Sequence, residues 1–197
     1  MKFSLSAPPQ GVGDRAPNST YYKTNWNQDF IGYLIVALSV VLYVGWFIIW
    51  PVKPNVRDFV QSPISHVLLF FGLIALTIFV HELIHVAAAP NGFTSKATVI
   101  GLNARNYRFY TYIDSELSWA RSIFVVAAPF LVLTVVPTVL RFTAGLPTDW
   151  VGVVAICNAS LSANDLFIAV SIFLRVPRQA IDVQFDFTSI RYALKTA

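Results

Sequence analysis

Four long apolar runs dominate this sequence and constrain its fold more than any other feature. They cover residues 30–50, 64–89, 120–139 and 150–174. The first run holds no charged residue, and at about 1.5 Å of rise per residue its helix would cross the roughly 30 Å hydrocarbon core of a bilayer. Only 12% of all residues are charged, against about 25% in an ordinary soluble domain. The sequence therefore predicts an all-α membrane protein, a bundle of four transmembrane helices whose first partner is the lipid bilayer.

The four runs define one membrane domain, residues 30–174, between two polar ends. Residues 1–29 are rich in proline and glycine and are predicted to form a flexible segment, and residues 175–197 a basic tail. The first apolar run begins too late for a cleaved signal peptide. Cys157 is the single cysteine, so no disulfide can form within the chain.

The basic residues predict the orientation of the spans, because cytoplasmic loops carry an excess of Lys and Arg. With four spans, both ends and the loop 90–119 share one side, which holds Lys2, Arg15, Lys23, Lys96, Arg105, Arg108, Arg121, Arg175, Arg178, Arg191 and Lys195. The opposite side holds only Lys53, Arg57 and Arg141. We therefore expect a multi-pass protein of the cell membrane with both termini in the cytoplasm. The net charge of +4 is explained by this asymmetry, and no nucleic-acid partner is predicted.

The loop between the second and third spans carries a β pattern. Residues 97–102 (ATVIGL) and 107–113 (YRFYTYI) are rich in β-branched and aromatic side chains, which favour strands. Residues 103–106 between them have the length and composition of a turn. The sequence predicts a small cytoplasmic β-hairpin here.

The candidate metal-binding and catalytic side chains lie in His81-Glu82-Leu83-Ile84-His85, near the end of the second span. On a helix the i, i+4 spacing places both imidazoles on one face, where they can share a Zn²⁺, with Glu82 as general base. Ionisable groups inside a span cost about 2.5–3.5 kcal/mol each at mid-bilayer, so they need partners. The alternative is that these side chains only mark the membrane interface.

A catalytic zinc site takes three protein ligands, and Asp165 is the best candidate for the third. It lies nine residues before residue 174, and His81 lies eight residues before residue 89. Both positions therefore have a similar depth on helices that end on the same side. His66 is near the far end of its span, and Glu116 lies in the loop before the third span.

Asn158 shares a narrow stripe of the fourth span with Ser162 and Asp165 at 100° per residue. We expect it to contact the substrate or a developing oxyanion, or alternatively to form hydrogen bonds between helices. Ser160 and Ser162 are better explained by helix packing.

Together these residues resemble a family of small membrane proteins called the "Putative zincin peptidase" family, which is distantly similar to site-2 intramembrane metalloproteases. The similarity covers about residues 64–174. It implies that His81, His85 and Asp165 bind zinc and that Glu82 activates water. It also implies that a peptide substrate, including a transmembrane one, adds as a strand beside the hairpin 97–113. Site-2 proteases usually carry Leu-Asp-Gly at the third ligand, whereas this chain has Asn164-Asp165-Leu166, so the smaller family is the closer match.

The sequence favours a zinc metalloprotease that acts at the cytoplasmic side of the membrane, with Glu82 and Asn158 as its catalytic residues. One alternative keeps the metal and the base but hydrolyses a lipid or another amide or ester. The other is a non-catalytic scaffold whose helices are held together by zinc, which would need a fourth protein ligand.

Overall fold

The chain is mostly helical. The computed structural model describes residues 2–4, 19–25, 27–50, 63–95, 98–103, 108–113, 115–145, 149–185 and 189–195. The helices are α1 (Gln28–Ile49), α2 (Pro63–Ala88), α3 (Trp119–Phe130), a π turn (Leu131–Val135), α4 (Val136–Ala144), α5 (Asp149–Leu161) and α6 (Ala163–Arg175). The strands are β1 (Lys2–Ser4), β2 (Ser19–Asn25), β3 (Val99–Asn103), β4 (Arg108–Tyr112), β5 (Asp182–Phe185) and β6 (Ser189–Lys195).

Among the described residues, three helical stretches are long and apolar enough to cross a membrane. They are Asp29–Ile49, Ile64–Ala88 and Trp119–Ala144, the last of which runs through α3, the π turn and α4. The helices α5 and α6 pass the same test together but meet at a bend of 50°, so the described residues hold three candidate spans, or four if this bent pair is one span. Only 6% of the apolar window of α1 and 11% of that of α2 is buried in protein. Most of their apolar surface is therefore available to lipid, as in a multi-pass membrane protein.

Local sequence explains where the first two spans begin and end. The side chain of Asn27 accepts hydrogen bonds from the backbone N–H groups of Asp29 and Phe30, which caps α1. Pro63 starts α2, and proline is favoured there because the first turn of a helix needs no backbone donor. After α2, Pro90 stops the helix and Asn91 takes a positive φ of 53°, which turns the chain towards β3.

The prediction of an all-α fold with a single hairpin is wrong in part, because the described residues form two three-stranded sheets. In the first sheet, β3 and β4 pair antiparallel where the hairpin was predicted, from Val99 opposite Tyr112 to Asn103 opposite Arg108. Residues 104–106 of the predicted turn and residue 107 of the predicted second strand lie outside the described residues. The short β1 adds parallel to β3, so β4 is an edge strand.

The second sheet is built from the two ends of the chain, which were predicted as a flexible segment and a tail. Its order is β2-β6-β5, with antiparallel pairing throughout. Apolar side chains from β5 and β6, Val183 and Ile190, are fully buried and pack with Val126 of α3 and Ile172 of α6. Burial against the spans is the physical reason that these short segments are ordered as strands.

Candidate metal centre

The helix α2 carries His81 and Glu82 next to each other and His85 one turn later, as the sequence predicts. The two imidazole rings lie 4.9 Å apart between centroids and meet edge to face. His81 is buried, with 6% of its surface exposed. The i, i+4 spacing therefore places both rings on one face of the helix, beside each other and away from solvent.

Asp165, at the start of α6, reaches both histidines. Its Oδ2 lies 2.9 Å from His81 Nε2 and 3.5 Å from His85 Nε2. One potential ligand atom from each of the three residues lies within 4.8 Å of the other two. The side chains of Asp165 and His81, which the sequence predicts to lie at a similar depth, thus approach each other directly.

The other nitrogen of each ring is held by a hydrogen-bond acceptor. His81 Nδ1 lies 2.8 Å from Asn158 Oδ1, and His85 Nδ1 lies 2.8 Å from the backbone oxygen of Val125. Since a carbonyl oxygen can only accept, these contacts assign the N–H of both rings to Nδ1. In the neutral form of each ring the lone pair is then on Nε2, which faces Asp165, and this is the arrangement of metal-binding histidines.

Asn158 is placed differently from the expectation that it contacts substrate or an oxyanion. It is completely buried. Its Nδ2 lies within hydrogen-bond distance of Pro129 O (3.0 Å), Thr134 Oγ1 (2.9 Å) and Ser162 Oγ (3.3 Å). The amide is therefore committed to acceptors inside the protein, and its remaining oxygen accepts from His81. These contacts match the alternative expectation of hydrogen bonds between helices, and an oxyanion contact of Asn158 stays a prediction.

The bend between α5 and α6 explains how these two joined helices supply a contact to each nitrogen of the His81 ring. Asn158 precedes the bend and faces His81 Nδ1, whereas Asp165 follows it and faces His81 Nε2. Ser162 stands at the break between the two helices. A straight helix was expected to carry these residues on one stripe, and the bend lets them reach opposite sides of one imidazole.

Glu82 is held by the hairpin. Thr111 of β4 donates a hydrogen bond of 2.6 Å to Glu82 Oε2, and its hydroxyl lies 3.3 Å from the backbone oxygen of Glu82. Nothing in the sequence pattern singled out Thr111, since a threonine in a strand is unremarkable until the strand is packed against α2. The hairpin thereby fixes the direction of the carboxylate.

A cavity of about 980 Å³ borders these residues. Glu82, both histidines and Asp165 line it, as do the consecutive residues 109–113 of β4 and its end. Residues 183–185 of β5 and several residues of α1 form further parts of its wall. The candidate centre is thus next to a space large enough for an extended peptide backbone and water.

The donor set fits Zn²⁺. Asp165 Oδ2 is buried, yet it receives no hydrogen bond of acceptable distance and angle from the part of the chain that the structure describes. A buried carboxylate oxygen without a donor is costly, and a cation between it and the two Nε2 atoms would remove that cost. Two imidazole nitrogens and one carboxylate oxygen are the ligands of a catalytic zinc site, which keeps its fourth position open. Glu116, the other acidic candidate, is exposed and does not line the cavity.

The sequence was also compared with known protein families, curated proteins and solved structures. A sequence model of the family described as "Putative zincin peptidase" matches residues 74–181, more than half of the chain, and the match covers all five residues predicted for the site. No curated protein and no solved structure matches the chain.

Proposed function

This chain belongs to the family described as "Putative zincin peptidase", and we propose that it is a zinc metallopeptidase embedded in the membrane. The observation that carries the proposal is that His81, His85 and Asp165 each bring one potential ligand atom to within 4.8 Å of the other two, beside a glutamate that lines the same cavity. The three ligands leave a position for water or substrate, which a purely structural zinc site would not.

In the proposed hydrolysis of a peptide bond, each residue of the site has a separate role. A bound Zn²⁺ would lower the pKa of a water molecule and polarise the scissile carbonyl. Glu82 would accept a proton from that water as the new C–O bond forms, and would return it to the amine nitrogen as the C–N bond breaks. Thr111 would keep the carboxylate of Glu82 directed at the cavity. Asn158 and the Val125 carbonyl would hold the two imidazoles.

We propose that the substrate is a polypeptide that binds in extended form along β4. The strand is at the edge of its sheet, and five consecutive residues, 109–113, line the cavity. An edge strand offers backbone donors and acceptors to an added strand. The residues of β4 also include Thr111, so a substrate paired with this strand would lie next to Glu82.

The site is proposed to open to the cytoplasm. The strand β2, which precedes α1, pairs with β6, which follows α6. This pairing supports a common side for both ends of the chain. That side holds eleven of the fourteen Lys and Arg residues if four spans cross the membrane, and such an excess is typical of the cytoplasmic side.

The experiment compares purified wild-type protein with Glu82→Gln and with the control Glu116→Gln, which changes an exposed glutamate outside the cavity. Each is incubated with a library of membrane-segment peptides and, separately, with lipid extracts. We expect cleavage of peptides by wild type and by Glu116→Gln, and a loss of about 100-fold or more in Glu82→Gln, as for removal of a general base.

Two other results would redirect the proposal. Turnover that depends on Glu82 with lipids but not with peptides would identify a hydrolase of lipids or other non-peptide substrates. Activity that survives Glu82→Gln, together with a fourth protein ligand on the metal, would identify the non-catalytic scaffold. Either result would contradict the peptidase assignment.

A further inference from the structure

The backbone oxygen that orients His85 is available because residue 129 is a proline. In an α-helix the carbonyl of residue 125 accepts from the N–H of residue 129. Pro129 lies inside α3 and has no N–H to donate. The Val125 oxygen instead lies 2.8 Å from His85 Nδ1. Both Val125 and Pro129 are buried.

The carbonyl of Pro129 itself orients the second histidine through Asn158. Asn158 Nδ2 donates to Pro129 O at 3.0 Å and to Thr134 Oγ1 at 2.9 Å. These acceptors determine which end of the amide faces His81, and leave Oδ1 to accept from His81 Nδ1. The chain passes into the π turn Leu131–Val135 directly after this point, and such turns are frequent at functional sites.

We propose that Pro129 is a positioning residue for the metal centre, because it frees one backbone carbonyl for His85 and presents another to Asn158. Through these two contacts the third span sets the direction of both Nε2 lone pairs, although it contributes no ligand. The proposal rests on the proposed zinc-binding function of His81, His85 and Asp165, and adds a residue that the motif does not contain.

The sign of the stability effect separates positioning from a structural role. Proline is the least favoured residue in a helix interior, so Pro129→Ala should leave the metal-free protein at least as stable as the wild type. The same change supplies an N–H at residue 129 that competes with His85 for the Val125 oxygen. A metal centre that depends on this carbonyl will weaken while the fold does not.

The test measures zinc affinity by chelator competition in the detergent-purified protein, and the unfolding temperature of the metal-free form. Pro129→Ala is compared with wild type and with Pro137→Ala, a matched change in α4 of the same span. We expect zinc binding about 10–100-fold weaker in Pro129→Ala, as for other residues that hold metal ligands, and unchanged in Pro137→Ala. Pro129→Gly restores the same N–H without a side chain and should behave like Pro129→Ala.

Several outcomes would overturn the proposal. Equal zinc affinity in wild type and Pro129→Ala would do so, and so would an equal loss in both proline variants, which would indicate a general effect of straightening the span. Loss of the folded species in both Pro129→Ala and Pro129→Gly would assign the proline to the fold. Absence of zinc binding in the wild type would instead reject the proposed function itself, and this inference with it.

Discussion

At the scale of single residues, the site depends on contacts that hold the reactive side chains as much as on those side chains. His81 is held by Asn158, His85 by the Val125 oxygen and Glu82 by Thr111. The motif residues can be recognised in the sequence because histidine and glutamate are rare inside apolar spans. The residues that hold them cannot, because no sequence pattern distinguishes a backbone oxygen or a threonine in a strand.

Thr111 offers the clearest test at this scale. Thr111→Val removes the hydroxyl that donates to Glu82 Oε2 at 2.6 Å and keeps nearly the same shape. Hydrogen bonds to charged groups contribute about 1.5–3 kcal/mol, so we expect peptide turnover to fall by about 10-fold or more with zinc content unchanged. Thr111→Ser retains the hydroxyl and should retain most of the activity. Wild-type turnover in Thr111→Val would show that this contact does not direct the base.

At the scale of helices and strands, the long elements could be predicted from sequence and the short ones only in part. The first two spans were placed within about a residue of Asp29–Ile49 and Ile64–Ala88, because a long apolar run has few other structures open to it. The hairpin strands are adjacent in sequence, so their pairing follows from local pattern. In contrast, β2 pairs with β6 across most of the chain, and no local signal reports such a partner. The bend at Ser162 was missed because the polar residues around it were assigned to a continuous helix.

The second sheet is joined to the membrane helices by a buried carboxylate. Asp182 of β5 is completely buried and accepts from Leu117 N (3.2 Å), Tyr21 Oη (3.0 Å) and Gln184 Nε2 (2.8 Å). These donors come from the segment before α3, from β2 and from β5 itself. Asp182 therefore links both ends of the chain to the third span.

We expect Asp182→Ala to lower the free energy of unfolding by about 2–5 kcal/mol, because each buried donor that loses its acceptor costs about 1–3 kcal/mol. Asp182→Asn keeps one acceptor oxygen and should lose less. Chemical unfolding in detergent measures the difference, with Glu116→Ala as a control at an exposed position. If Asp182→Ala and Glu116→Ala were equally stable, the carboxylate would not be the link described.

At the scale of the whole molecule, the arrangement places a polar centre among spans whose outer surface is apolar. The cavity beside His81, His85 and Asp165 is bordered by α1 and by the edge strands β4 and β5. The two sheets thus flank the space in which we place the substrate. The bent helix pair α5–α6 brings its polar residues inwards, where they contact one another and the histidines, while most of the apolar surface of α1 and α2 is exposed.

The proposed orientation is tested by labelling in intact cells. Arg178 follows α6 and Ala144 ends α4, and both are exposed. In a Cys157→Ala background, a membrane-impermeant maleimide should label Ala144→Cys and should leave Arg178→Cys unlabelled until the cells are opened, because the positive-inside rule places residue 178 in the cytoplasm. The reverse labelling pattern would contradict the orientation and would place the site on the outer face.

We propose that His81, His85 and Asp165 form a catalytic zinc centre, and the metal content of purified variants is a direct test of this centre. Metal analysis should find about one zinc per chain in the wild type and in Glu82→Gln, and almost none in His81→Ala or Asp165→Ala, as expected for a site with three protein ligands and a base that is not a ligand. If the zinc content were unchanged in both ligand variants, His81 and Asp165 would not be zinc ligands and the proposed centre would be wrong.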